Sequence, residues 1–274
     1  MADVVTLGGT RQEAAALVDD AAWAAARRYA AAPHTAVEET PRLRWLITGT
    51  PYERLNGIYW AAAGQSVDAA LEPFRQADVP MLWHVGATSP VGLPALLRDA
   101  GLRAYEAEPA MVCDLGGPAA RWSLPDSPDD LEIRRVGTEA QLRAWVRIWA
   151  GPASPLLCDR LVALRAPSAF GVSPRAPHLL AVLDGEPVGC AAVWVGRLPG
   201  REGRPVAWLE HVATRVPARR QGIGTALTRA CLDLARRRAA SHAALTASPS
   251  ATRLYRRLGF RDVGTVTRYL WTPR

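Results

Sequence analysis

The feature that most constrains the fold of this chain is a strand, a glycine turn and a helix in direct succession. The run VAWLEHVAT (206–214) is apolar and strand-like, and RRQGIG (219–224) places two glycines after a pair of arginines. Beyond the turn, Leu227, Cys231 and Leu234 recur at helical spacing. A helix that begins at such a turn offers backbone N–H groups and the positive end of its dipole, which together bind phosphate. The segment therefore predicts an α/β fold with an anion site at this junction.

Three kinds of phosphate site could be built on this turn. A Walker loop requires a lysine, and all basic residues of the chain other than histidine are arginine. A dinucleotide fingerprint requires a third small residue, but that position is Leu227, which would block close packing of helix on strand. The pattern R-x-x-G-x-G, which closes backbone N–H groups on a pyrophosphate, remains. An ordinary strand–turn–helix connection is the alternative for the hexapeptide alone.

The apolar runs fall into two similar halves, separated by a Pro-, Gly- and Asp-rich segment at 116–130. In the first half, the patterns predict helices and strands in the order helix 10–31, strands 43–49 and 57–62, helix 65–77, strand 81–85, helix 93–100 and strand 110–115. In the second half they predict strand 131–136, helix 138–149, a loop-rich stretch with five prolines at 151–177, strands 178–184, 188–196 and 206–214, the helix after the glycine turn, strand 243–247, helix 250–260 and strand 265–271.

The two halves also end alike. LLRDAGLR (96–103) aligns with LYRRLGFR (254–261), and four of the eight positions are identical. A shared ending and a similar order of elements suggest a duplicated domain. The halves differ where chemistry is expected, because Leu97 aligns with Tyr255 and the first half shows no glycine turn before a helix.

From about residue 131 to residue 274 the sequence resembles the GNAT superfamily of acyl-CoA-dependent N-acetyltransferases. That family has a loop V-x-P-x-x-R-x-x-G-x-G/A, and TRVPARRQGIGTAL matches it at Arg219, Gly222 and Gly224, with the proline one place late. The family's second motif is N-x-x-A-x-x-L-Y-x-x-x-G-F. SPSATRLYRRLGF matches that motif except that Ser248 replaces the asparagine.

The resemblance implies a mixed α/β (α+β) architecture of tandem GNAT-like domains, each a central mixed sheet flanked by helices. The expected domains are a degenerate GNAT-like domain without a cofactor loop (1–118), a linker (119–130) and a catalytic domain (131–274). The first domain would have kept the sheet and lost the cofactor site.

The resemblance also implies that acetyl-CoA is the co-substrate and that no metal takes part. The loop would bind the pyrophosphate, and the strand before it would hold the pantetheine arm through backbone groups. The expected cofactor-binding residues are Val212, Ala213, Thr214, Arg219, Arg220, Gln221, Gly222, Ile223, Gly224, Thr225, Ser248 and Tyr255.

Two side chains are expected to take part in proton transfer. Tyr255 occupies the family's position for the acid that protonates the departing thiolate. Glu210 is the candidate base, since family members often carry a carboxylate on this strand. Strand alternation would place Glu210, Val212 and Thr214 on one face and His211, expected to be structural, on the other.

The partners are constrained only by charge. Residues 1–125 carry 10 arginines and 14 acidic residues, net −4, whereas residues 126–274 carry 23 arginines and 12 acidic residues, net +11. A phosphorylated ligand such as CoA accounts for the basic half without nucleic acid. The expected acceptor is a primary amine of a small molecule. A protein N-terminus or an aminoacyl-tRNA is the alternative, and a non-catalytic CoA-binding regulator is another.

The remaining expectations concern the setting of the protein. No apolar run is long enough to span a membrane and no signal peptide is apparent, so a cytoplasmic protein is expected, as monomer or homodimer. Four scattered cysteines, without a paired motif, are expected to be reduced core residues: Cys113, Cys158, Cys190 and Cys231.

Overall fold

A computed structural model describes residues 10–116, 127–170, 176–199 and 203–273. The strands of these ranges are β1 (Ala36–Glu39), β2 (Leu43–Ile47), β3 (Gly57–Ala61), β4 (Met81–Val85), β5 (Arg103–Asp114), β6 (Glu132–Arg135), β7 (His178–Leu183), β8 (Glu186–Gly196), β9 (Val206–Thr214), β10 (His242–Thr246) and β11 (Arg261–Trp271). The α-helices are α1 (Arg11–Ala26), α2 (Val67–Ala77), α3 (Leu93–Asp99), α4 (Glu139–Ala150), α5 (Pro155–Ala169), α6 (Ile223–Arg237) and α7 (Thr252–Arg257). The order is mixed α/β, as the sequence predicts.

The chain forms two compact units. The first comprises residues 1–112, 246–252 and 261–274, and the second comprises residues 113–245 and 253–260. Most of the predicted linker, residues 119–130, lies outside the described residues. The predicted boundaries of the linker therefore stay predictions.

The sheet of the first unit runs in the order β1-β2-β3-β4-β11-β5. Strand β11 comes from the far end of the chain and pairs antiparallel with β4 on one side and β5 on the other. Beneath this sheet a core of large apolar side chains forms around Trp45, Phe74, Trp83 and Tyr269. The last strand is thus part of the first unit's core.

The sheet of the second unit runs in the order β10-β9-β8-β7-β6. Helices α4 and α6 both pack on β8 and β9, and they lie on opposite faces. A Cβ at Gly189 would meet Leu227 of α6, and Gly189 pairs with Ala181 of β7. His178, three residues from Ala181 along the strand, points to the other face and contacts Trp145 of α4. The second unit is therefore a mixed sheet flanked by helices.

The duplication predicted from the sequence extends to the capping of two helices. After α3, the N–H of Leu102 donates to the carbonyl of Leu97 at 2.9 Å; after α7, the N–H of Phe260 donates to the carbonyl of Tyr255 at 3.0 Å. In both places the intervening glycine is left-handed, with φ of 85° at Gly101 and 86° at Gly259. The identical residues in the two segments therefore produce the same type of helix C-cap.

The expected loop-rich stretch at 151–177 is wrong, because α5 occupies Pro155–Ala169. Ser154 caps this helix by accepting a hydrogen bond from the N–H of Leu157. Pro155 occupies the first turn, where a missing N–H costs nothing. Pro167 falls in the last turn. Pro155 thus stands where a helix tolerates proline, and Pro167 affects only the end of the helix.

No α-helix within the described ranges is both long and apolar enough to cross a membrane.

Candidate active site

The glycine turn forms a concave loop between β9 and α6. A single 3-10 turn (Val216–Ala218) follows the strand, and Arg220 and Gly222 are then both left-handed, with φ of 68° and 77°. Gly222 is the N-cap residue of α6. Left-handed residues alternating with ordinary ones turn successive N–H groups inward, and a helix N-terminus adds partial positive charge. The arrangement suits a pyrophosphate.

The loop has room for a small side chain at Gly224. A Cβ built on Gly224 would lie 3.4 Å from the Cδ1 of Leu254 and 3.9 Å from the Oγ1 of Thr214, both ordinary contacts. Arg219 is fixed to the end of the strand, since its Nε donates to the carbonyl of Thr214 at 3.2 Å. The predicted loop residues Arg219–Thr225 therefore form one continuous segment, with Thr214 at its base and α7 beside it.

Strands β9 and β10 are parallel and paired only at their beginnings. The register joins Val206, Ala207 and Trp208 to three residues of β10, after which β9 continues to Thr214. The predicted pantetheine-binding residues Val212, Ala213 and Thr214 lie in this later part of β9. The β9/β10 pairing therefore does not use the backbone N–H and C=O groups of this later part of β9, which can instead bind a ligand.

A β-bulge interrupts β9 beside Glu210. Glu210 pairs with Ala192, whereas Ala213 pairs with Cys190, so two residues of β9 oppose one residue of β8. His211 is left-handed at this point, with φ of 57°. The bulge reverses the alternation that was predicted for this strand.

The prediction that His211 points away from Glu210 is therefore wrong. Its Nδ1 lies 3.4 Å from the Oε1 of Glu210, and both side chains face α5. Thr214 instead lies next to Gly224 of α6, on the opposite face from Glu210. Strand parity fails because the bulge adds one residue.

Arg165 of α5 joins this pair, and sequence reasoning missed it. Its Nη2 lies 3.2 Å from the Nε2 of His211, and its Nη1 lies 3.8 Å from the Oε1 of Glu210. The Arg165 side chain is fully buried, while those of Glu210 and His211 are 12% and 15% exposed. The only sequence signal for Arg165 is that it lies among apolar residues. The prolines of this segment predict a loop, so the sequence does not indicate a buried arginine on a helix.

Two tryptophans of α4 enclose the guanidinium. The Cζ of Arg165 lies 4.4 Å from the ring centroid of Trp149 and 4.8 Å from that of Trp145. Trp149 also meets the His211 ring edge-on at 4.3 Å. These contacts hold the cluster of Glu210, His211 and Arg165 in one arrangement.

The remaining predicted site residues lie around α7. Tyr255 is buried, and its ring packs edge-on against Phe260 at 5.6 Å. Ser248 lies in the turn before α7, where its carbonyl accepts from the N–H groups of Ala251 and Thr252. The catalytic role of Tyr255 and the ligand contact of Ser248 stay predictions.

The first unit repeats the strand–helix–strand arrangement with a shorter connection. Strands β3 and β4 are parallel, and α2 joins them. The expectation that the first half has no glycine turn before a helix is wrong, because Gly64 (φ 75°) precedes α2 and Gly92 (φ 88°) precedes α3. Neither turn carries the arginine or the second glycine of R-x-x-G-x-G. Leu97, at the position that aligns with Tyr255, is buried in the core.

The cysteines stay outside the candidate site's chemistry. All four are buried free thiols, as predicted. Burial raises the pKa values of Cys190 and Cys231, which keeps both protonated at neutral pH. Across the described ranges, His, Cys, Asp and Glu side chains form no group of three that could hold a metal ion.

Comparison with protein families decides the relationship. Residues 139–260 match the family model described as acetyltransferase (GNAT) family. This part of the chain belongs to the GNAT family. The match spans α4 to α7 and includes the loop, the bulged strand and Tyr255. No curated protein is similar enough to the chain to count as a match.

Solved structures share the GNAT fold over nearly the whole chain. A GCN5-related N-acetyltransferase from Kribbella flavida is 22% identical, with 93% of this chain and 94% of that chain covered and a TM-score of 0.64. A tandem GNAT protein from the clavulanic acid biosynthesis pathway is 16% identical, with 94% of each chain covered and a TM-score of 0.58. Because both alignments include the first half, the tandem GNAT-like fold predicted from the sequence is confirmed.

Proposed function

We propose that the protein transfers an acetyl group from acetyl-CoA to a primary amine of a small molecule. The observation that carries the proposal is the parallel strand pair β9/β10, whose pairing ends before Glu210 and before a loop whose geometry suits an anion. The loop suits the pyrophosphate, the open strand edge suits an amide-bearing arm, and the carboxylate suits the amine. The partial burial of Glu210 favours a slender acceptor over a bulky one.

The predicted loop and strand residues would bind different parts of acetyl-CoA. The backbone N–H groups of Gln221–Thr225, with Arg219 and Arg220, would bind the pyrophosphate. The backbone of Val212–Thr214 would hold the pantetheine arm and polarise the thioester carbonyl. Bound acetyl-CoA supplies the activated acyl group that the amine attacks.

Two proton transfers complete the chemistry. An alkylamine is mostly protonated at neutral pH and must lose a proton before it attacks, so Glu210 would accept that proton, directly or through water. The departing thiolate needs a proton, and the hydroxyl of Tyr255 would give it. The assignment of Tyr255 rests on its position in the second GNAT motif, and that of Glu210 rests on a strand where several family members carry a carboxylate.

The proposal is tested by measuring CoA thiol release with acetyl-CoA and a panel of small primary amines. Release that requires the amine and yields the N-acetyl product supports the proposal. Tight CoA binding without turnover for any amine would instead favour a regulator.

The basic second half is the one observation that favours an acceptor on tRNA. Nuclease treatment distinguishes this alternative, because activity on a small amine should survive it unchanged. Activity that disappears with nuclease and returns with charged tRNA would replace the small-molecule acceptor.

A further inference from the structure

Arg165 is a fully buried cation that is enclosed by two aromatic rings and contacts two polar side chains. It lies on α5 with its guanidinium between the rings of Trp145 and Trp149. A buried charge is costly unless polar partners and a polarisable environment compensate it. The polar partners are the two side chains at the bulge of β9, His211 and Glu210.

The contact with His211 determines where the imidazole carries its proton. A guanidinium has only donors, so the Nη2 of Arg165, 3.2 Å from the Nε2 of His211, donates to that nitrogen. The Nε2 must therefore be the unprotonated nitrogen, and the ring proton sits on Nδ1. That Nδ1 lies 3.4 Å from the Oε1 of Glu210. The N–H of His211 and the cation of Arg165 thus approach the same carboxylate oxygen.

We infer that Arg165 is a positioning residue that holds His211 neutral, with its proton on Nδ1, the ring nitrogen that lies 3.4 Å from the carboxylate of Glu210. His211 cannot take the acceptor's proton while its lone pair accepts from Arg165. Glu210 is then the group that receives it. The inference rests on the proposed function for the role of Glu210, but the protonation of His211 does not depend on it.

Other ionisable groups that face the cluster do not compete for this role. On β7, the Nδ1 of His178 lies 2.7 Å from the carbonyl of Ala176, and its ring packs on Trp145. On β8, the thiol of Cys190 donates to the carbonyl of His211, and burial raises its pKa. Helix α4 presents the two tryptophans. Glu210 is therefore the one carboxylate that the described contacts place at this cluster.

The protonation state is measured by NMR of the histidine ring nitrogens in the full-length protein. The His211 signals are assigned by their loss in His211→Asn. The expected result at pH 7 is a neutral ring with the proton on Nδ1 in the wild type. In Arg165→Met, signals of a ring protonated on Nε2 should appear. A wild-type ring protonated on Nε2, or on both nitrogens, overturns the inference without touching the proposed function.

Arg143→Met is the matched control, because Arg143 of α4 pairs with Asp159 of α5 and also links the two helices, but lies near the surface. It should leave the His211 signals unchanged. If Arg165→Met fails to fold, Arg165→Lys serves instead. The ammonium of lysine cannot reproduce the fork of donors, so a mixture of ring forms is expected.

Kinetics separate positioning from simple structural support. Arg165→Met should lower kcat by about tenfold to a hundredfold, within the range of a disturbed general base. The KM for acetyl-CoA should change less than about twofold, because the loop lies on another element, and the pH–rate profile should move. Altered ring protonation with unchanged kcat and an unchanged pH profile would refute the positioning role. Absence of turnover in the wild type would refute the proposed function alone.

Discussion

At the scale of single residues, one inserted position in β9 decides which side chains can act together. The bulge turns His211 to the side of Glu210, where alternation would have separated them. A left-handed conformation for histidine is uncommon and persists only where surrounding contacts support it. The contacts with Arg165 and Trp149 provide that support.

Glu210→Gln should lower kcat by about a hundredfold and move the pH–rate profile to higher pH. Glutamine cannot accept the amine's proton, so a larger share of the amine must deprotonate in solution. Steady-state rates from about pH 6 to 10 provide the measurement. Glu186→Gln, at an exposed position of β8, is the control. A profile that superimposes on the wild type would remove Glu210 from the mechanism.

Substitutions of the two loop glycines should have different effects, one on stability and the other on CoA binding. Gly222→Ala forces a side chain into a backbone with φ of 77° and should cost about 1 kcal/mol of stability. Gly224→Val meets no such strain and should retain stability. Gly224→Val should weaken the affinity for CoA by tenfold or more, because the valine side chain would occupy space that the ligand needs.

Calorimetric titration with CoA and urea unfolding separate these two effects. Gly224→Ala is the intermediate control, since its Cβ makes only ordinary contacts. Unchanged CoA affinity in Gly224→Val would refute the loop assignment.

His84 should make the first unit sensitive to acid. Burial, followed by the nearby cations Arg268 and Arg54, holds the pKa of His84 well below its usual value of 6.5. Below about pH 6.5, the unfolded chain therefore binds a proton at His84 that the folded chain does not bind. Stability should be fully present above about pH 6.5 and fall below it, by up to about 1.4 kcal/mol per pH unit for this one site.

Urea unfolding at pH 5, 6, 7 and 8 measures this dependence. His84→Gln should flatten it, with a residual slope from His242, whose pKa is also lowered, mainly by burial. His34→Asn, at an exposed left-handed position, should leave the slope unchanged. An equal slope in His84→Gln and the wild type would contradict the prediction.

At the scale of elements, the duplicated helix ending predicts paired effects in the two units. Gly101→Ala and Gly259→Ala should each cost about 1 kcal/mol, because both glycines are left-handed after a helix. Urea unfolding is the measurement. Gly264→Ala is the control, since its added Cβ would meet only the Cβ of Ala15 at 3.6 Å. A cost at one glycine without the other would show that the two endings are not equivalent.

The elements that could be predicted are those whose signal is local. Strands such as β4 and β9 match their apolar runs, and the glycine turn identified the start of α6. Helix α5 is hidden in the sequence because five prolines at 151–177 favour a loop, although two of them lie near the ends of the helix. The bulge could not be foreseen, since neither Glu210 nor His211 is a residue type that marks one. Arg165 could not be foreseen either, because its contacts join residues 46 positions apart.

At the scale of the whole molecule, the chain enters the first unit, leaves it, and returns with β11. That strand pairs with β4 from Met81 to Val85 and with β5 over most of its length. Arg268 reinforces the insertion through Glu106 and Glu108, at 2.7 and 2.8 Å. The sequence does not predict this pairing, because the partners of a strand depend on tertiary contacts between segments that are far apart in the chain.

Residues 126–274 expressed alone should therefore not give a stable protein. Strand β11 would lose both of its neighbours, and its backbone and apolar side chains would be exposed as a pairing edge. Size-exclusion chromatography and thermal unfolding, compared with the whole chain, provide the measurement. A monomeric fragment that melts cooperatively within a few degrees of the whole chain would contradict the prediction.

The position of β11 also sets the order of events during synthesis. Domains ordinarily fold as units while the ribosome is still translating later parts of the chain. Here β4 and β5 leave the ribosome early, yet the strand that belongs between them is translated only after the second unit. The first unit therefore stays incomplete until the second unit and β11 have both been translated. A premature stop codon at residue 261 would leave the first unit without the strand between β4 and β5, although every residue of the second unit had been translated.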